Sequence, residues 1–92
     1  MPEEIKLPRI TLKIVSQKGT CVFGHKVGEE FDVSRGTPEG LCPAVYHSAY
    51  PTIFALMAGG EIPWEEDKDT AHIACTDSVN PVVVEVRRIA EE

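Results

Sequence analysis

The sequence predicts a small α+β domain, in which an antiparallel or mixed β-sheet, open or curled toward a barrel, packs on one central helical segment. Three observations carry this. Residues 9–16 and 82–89 each alternate side chains with a period of two, the mark of half-buried strands. Between them Val45, Ala49, Ile53 and Leu56 fall at spacings of four, four and three, one stripe of a helix. The order is strands, helix, strands, which suits a sheet covered on one face.

Each element has its own local reason. In residues 9–16, Ile10, Leu12 and Ile14 share one side, and Thr11, Lys13 and Val15 the other. Lys18-Gly19 reads as a turn, and residues 20–23 as a short second strand stopped at Gly24. Gly28 turns the chain into another strand, with Phe31 and Val33 facing inward. Gly36, Pro38 and Gly40 mark residues 34–40 as a loop. Pro43 suits the first helical position, where a missing N–H costs nothing, so Cys42 is the expected N-cap. Gly59-Gly60 is the stop. Pro51 lies mid-segment, and the residue before a proline resists helical geometry, so two short helices split at Pro51 are expected. Residues 61–70 form a loop, 72–75 a short strand, and 76–81 a turn. Residues 82–89 close the chain, with Val82, Val84, Val86 and Arg88 on one face and Val83, Glu85, Arg87 and Ile89 on the other.

Ninety-two residues suffice for one domain spanning 1–92, with residues 1–4 and 90–92 expected to fray. The net charge of −6 leaves no basic stripe to neutralise phosphates, so neither a nucleic acid nor an anionic membrane surface is an expected partner. The longest mainly apolar run, residues 49–58, contains Pro51 and Thr52 and is too short to span a bilayer. No basic region followed by an apolar stretch reads as a signal peptide, so the cytoplasm is the expected compartment. Three cysteines fit it, because an odd number cannot all pair within one chain.

The candidate chemistry is a Cys/His set: Cys21-x3-His25, Cys42-x4-His47 and Cys75. Thiolates and imidazoles are ligands for zinc, iron or another transition metal, and loops and element ends leave such side chains free to converge. No Cys-x2-Cys pair is present, however, and on one helix Cys42 and His47 would lie on different faces. The plain alternative is that the cysteines are small buried hydrophobes. At a helix N-cap the Cys42 sulfur would meet unpaired N–H groups and the positive end of the helix dipole, an environment that favours a nucleophilic thiolate with His47 or His25 as base. His25, beside Gly24, also reads as an ordinary surface residue of a turn. His47, on the side of Tyr50 and Phe54, also reads as a partly buried imidazole bonded to a carbonyl, and His72 reads as structural. Tyr46, Tyr50, Phe54 and Trp64 would line a small apolar pocket beside His47 and Cys42, with Asp77 near Cys75, or would simply pack the core. The carboxylates of Glu65, Glu66, Asp67 and Asp69 lack the spacing of a calcium loop.

The words Gly24-His25-Lys26-Val27-Gly28-Glu29-Glu30-Phe31, Thr37-Pro38-Glu39-Gly40-Leu41-Cys42 and Tyr50-Pro51 come in order along the chain. Gly59-Gly60-Glu61-Ile62-Pro63-Trp64-Glu65, Ala74-Cys75-Thr76-Asp77 and Asn80-Pro81-Val82 follow. In these the chain resembles a widespread family of short, uncharacterised bacterial and archaeal proteins, sometimes found as tandem copies. The family's usual Cys-Pro-Asp triplet is Cys75-Thr76-Asp77 here. The resemblance implies that Cys21, His25, Cys42, His47, Trp64, Cys75 and Asp77 occupy motif positions, and it implies no activity. Three readings follow: a small binding domain with a Cys/His site for a metal ion or small ligand, a thiol enzyme or redox protein using Cys42, or an interaction module that forms homo-oligomers without chemistry of its own.

Overall fold

The computed structural model describes residues 7–89; the fraying expected at 1–4 and 90–92 lies outside them. Along the chain come β1 (Arg9–Gln17), β2 (Glu30–Asp32), α1 (Pro43–Met57), β3 (Thr70–Ala74) and β4 (Val82–Ile89). The strands form one four-stranded sheet in the order β2-β1-β4-β3, with every neighbouring pair antiparallel. The sheet is open, with β2 and β3 at its edges, and does not close into a barrel. This is a small α+β fold.

The alternation of the two central strands builds the core. Ile10, Leu12 and Ile14 of β1 and Val82, Val84 and Val86 of β4 are buried on the face covered by α1. Val45, Ala49, Ile53 and Leu56 of α1 meet them. In β1 the register shifts between Ile14 and Ser16, a bulge that leaves Val15 without a partner in β4 and bends the end of the strand.

Two expectations are corrected. Residues 20–23 do not form a strand: Val22 is 90% exposed and Phe23 50%, so their apolar run has no sheet face to cover. The helix is not split at Pro51 but runs unbroken from Pro43 to Met57. Pro51 lies on the exposed face, as does His47, whose carbonyl loses its N–H partner at residue 51. Water can take that bond, while the opposite stripe keeps its burial on the sheet.

The ends of α1 are fixed differently. Cys42 is the N-cap and Pro43 follows it, as expected, but the Cys42 side chain makes no capping hydrogen bond. At the other end Gly59 adopts φ +94°. The N–H of Gly60 donates to the Ala55 carbonyl (2.8 Å) and that of Gly59 to Leu56 (3.2 Å), a Schellman turn. Arg88, in phase with the buried valines of β4, completes this end. Its guanidinium donates to the carbonyls of Leu56 (2.9 Å), Gly60 (2.8 Å) and Lys68 (2.8 Å) and to Asp69 Oδ1 (3.0 Å). No helix among the described residues is long and apolar enough to cross a membrane.

Candidate functional site: a thiol-lined cavity

The sheet register decides what meets at the start of the helix. Gln17, the last residue of β1, pairs with Val82, the first of β4, and Ala74, the last of β3, pairs with Val83. The segments that leave these strand ends therefore share one end of the sheet. Cys21 lies just past β1, Cys75 just past β3, and Asp77 and Asn80 in the turn into β4. Together with Cys42 at the start of α1, they line a cavity of about 130 Å³. Val22, Phe23, Ala44, Val45 and Val82 complete its mainly apolar wall. All three cysteines are free, partly buried thiols packed against the core.

A framework of polar bonds holds these segments in place. His25 is only 3% exposed, so it is not the surface residue a turn position suggested. Its Nε2 accepts the backbone N–H of Cys42 (3.0 Å), which requires that nitrogen to be unprotonated. Nδ1 then carries the hydrogen and donates to Glu29 Oε1 (2.6 Å). That bond is the main reason the Glu29 carboxyl is held below its ordinary range, with the Lys26 N–H adding to it. Phe23 and Phe31 flank the imidazole at ring-centroid distances of 4.9 and 5.7 Å. The Gln17 amide, oriented to satisfy both neighbours, accepts from the Cys21 N–H and donates to the His25 carbonyl (2.8 Å). Asn80 Oδ1 accepts the N–H of Thr20 (3.0 Å) and so ties the Cys21 loop to the β3–β4 turn. Asp77 shapes that turn by accepting the N–H groups of Asn80 (3.0 Å) and Val79 (2.9 Å), which lower its carboxyl below the ordinary aspartate range. The Cys75 sulfur accepts the N–H of Val82 (3.3 Å).

The expected site residues thus fall into three places rather than one. Cys21, Cys42, Cys75 and Asp77 line the thiol cavity, and His25 stands behind Cys42 as its support. His47 is exposed and lies with Tyr46 and Tyr50 in a separate groove of about 440 Å³ on the outer face of α1, also lined by Thr37, Leu41, Pro43 and Pro51. No hydrogen bond joins His47 to Cys42 or to a carbonyl, and the two residues line different hollows. Tyr46, Tyr50 and Phe54 form a ladder of rings along that face, with centroids 5.5 and 6.4 Å apart. Trp64, 81% exposed, belongs to a third hollow with Glu65, Glu66, Asp67, His72, Glu85 and Arg87. The carboxylates there are largely paired: Glu65 with His72 (3.1 Å), Asp67 with Arg87 (3.3 Å), and Glu85 with Arg87 (3.5 Å).

Among the described residues no group of three or more His, Cys, Asp or Glu side chains is arranged to hold a metal ion. The two imidazoles of the expected set do not join the thiols: both nitrogens of His25 are engaged by Glu29 and the Cys42 N–H, and His47 lines a different hollow. Comparison with known proteins finds no matching family model, curated protein or solved structure. The resemblance drawn from the motifs rests on those residues alone.

Gln17, Glu29 and Asn80 were not singled out by sequence. A signal existed for Glu29, four residues after His25, and for Asn80, three after Asp77, a spacing suited to an Asx-type turn. Nothing local marks Gln17.

Proposed function

We propose that the chain is a small binding domain whose site is the thiol cavity, and that its ligand is a small molecule with an apolar body and a soft group that the sulfurs engage. The observation that carries this is that all three cysteines of the chain, separated by 21 and 33 positions, line one hollow. Small ligand sites combine apolar walls with a few convergent functional groups. Here Val22, Phe23, Val45 and Val82 supply the wall and the thiols supply the groups. The thiols are polarizable and weak as hydrogen-bonding groups, so the cavity favours soft partners over strongly hydrated ones. A volume of about 130 Å³ admits a body no larger than a benzene ring.

Phenylarsine oxide is a fitting probe, because trivalent arsenic bridges two nearby sulfurs and carries one phenyl group. The folded, reduced protein should take up one equivalent, seen as a single adduct by native mass spectrometry and released by ethanedithiol. Cys42→Ser should reduce the uptake. If the folded protein takes up none while the urea-unfolded chain does, the sulfurs do not act on a common ligand and the reading fails.

A further inference from the structure

We infer that the same cavity is a thiol–disulfide switch, in which a small hydroperoxide joins Cys21 to Cys42 and the new bond closes the cavity to its ligand. The inference rests on the cavity reading above and adds its regulation.

The choice of this pair comes from how the three sulfurs are held. Cys75 follows directly on β3, its N–H donates to the Val82 carbonyl (2.9 Å), and its sulfur accepts the Val82 N–H. It is tied into the hairpin at both ends. The Cys42 sulfur has no capping bond to keep it occupied. Cys21 sits in residues 18–24, which form no helix or strand, between Gly19 at φ +72° and Gly24 at φ +102°. That segment is held by polar bonds more than by buried apolar surface, since Val22 and Phe23 are exposed. Such a segment opens locally more readily than the packed strands, and disulfide geometry requires Cys21 to approach Cys42. It is also already docked against the right neighbour. Gln17 binds both the Cys21 N–H and the His25 carbonyl, and the His25 ring binds the Cys42 N–H.

The chemistry balances with the hydroperoxide as the only oxidant. One thiolate attacks the terminal peroxide oxygen; the S–O bond forms as the O–O bond breaks, giving a sulfenic acid and releasing an alcohol. The second sulfur attacks the sulfenic sulfur; the S–S bond forms, the S–O bond breaks, and the hydroxide leaves as water with the thiol proton. Two thiols lose two electrons and the hydroperoxide gains them. Because Cys21 and Cys42 both line the cavity, a bond between them consumes two of its three thiols and leaves a single one at Cys75.

The test treats the reduced full chain with tert-butyl hydroperoxide and maps the products by mass spectrometry after blocking free thiols. The expected product is a monomer lighter by two hydrogens, with Cys21 linked to Cys42 and Cys75 blocked. It should melt at a higher temperature than the reduced protein, take up no phenylarsine oxide, and revert with dithiothreitol. Cys75→Ser should still form the Cys21–Cys42 disulfide, and Cys21→Ser should abolish it. A reduced protein that takes up the arsenical but gives only over-oxidised or intermolecularly linked cysteines would overturn the switch and leave the binding site standing. A disulfide through Cys75 would overturn the assignment to this pair. A protein that neither takes up the arsenical nor forms an internal disulfide would lose both.

Discussion

Gly19→Ala tests how the thiol cavity is held together. Gly19 adopts φ +72°, a region that costs a residue with a Cβ about 1–2 kcal/mol. A Cβ built there also runs into the Asn80 side-chain amide, through its Oδ1. That amide must move, and its Oδ1 is the acceptor for the Thr20 N–H, a bond worth about 1 kcal/mol. The two losses together give a destabilisation of about 2–3 kcal/mol, read from urea unfolding at neutral pH. Asn80→Ala alone should cost mainly that bond, about 1 kcal/mol, because its other side-chain contact, from Nδ2 to Asp77 Oδ2, is long (3.5 Å). In the double variant the clash is absent and the bond is already lost, so the combined cost should fall short of the sum of the single costs by about 1 kcal/mol. Cys21 follows Thr20 directly, so its alkylation should speed up in both single variants. A cost below about 0.5 kcal/mol for Gly19→Ala, or full additivity with Asn80→Ala, would refute the reasoning, because either result means that Asn80 does not clamp the Cys21 loop.

Other consequences follow from the same contacts. Arg88→Ala removes four charge-assisted bonds at the end of α1 and should cost about 2–4 kcal/mol, with Arg88→Lys recovering only part of it in thermal melts, since an ammonium cannot reproduce the planar fork. His25→Phe keeps a ring between Phe23 and Phe31 but leaves the Cys42 N–H without its acceptor; it should cost about 1–3 kcal/mol and speed hydrogen exchange at the Cys42 amide. The carboxyls of Glu29, Asp32, Asp67 and Asp77 are all lowered in the folded chain. Their contribution is therefore complete above the ordinary carboxyl values, about pH 5 and higher, and is lost as pH falls through the depressed folded values. Melting temperature should drop below about pH 4, and Asp77→Asn should flatten that drop; an unchanged acid limb would show that the turn bonds of Asp77 do not matter to stability.

How much of this was legible in the sequence depends on the range over which each feature is determined. The stripe of α1 and the alternation of β1 and β4 are set by burial against a neighbour that every residue of the element shares, so a period within ten residues reveals them. Pro51 and residues 20–23 depart from their local propensities because tertiary placement decides them. Proline breaks a helix through an orphaned carbonyl, and here the orphan is on the wet side. Cys21, Val22 and Phe23 are apolar enough for a strand, but β1 already has β2 and β4 on its two edges. The cavity is the extreme case. The sequence could place each cysteine at the end of an element but could not say which ends adjoin. That follows from the order β2-β1-β4-β3, in which one antiparallel register brings Gln17, Ala74 and Val82 to the same end of the sheet. His47 is close to Cys42 in sequence, but five positions along a helix turn a side chain to another face, as the sequence already indicates. His25, seventeen positions before Cys42, is the imidazole that meets it, and it does so through the backbone N–H rather than the sulfur. The support of a site on tertiary bonds of this kind means that its residues are found by asking where buried polar groups get their partners. Arg88 shows that the question can be put to a sequence. A guanidinium in phase with three buried valines had to find acceptors, and it finds them in the carbonyls of Leu56, Gly60 and Lys68 and in Asp69.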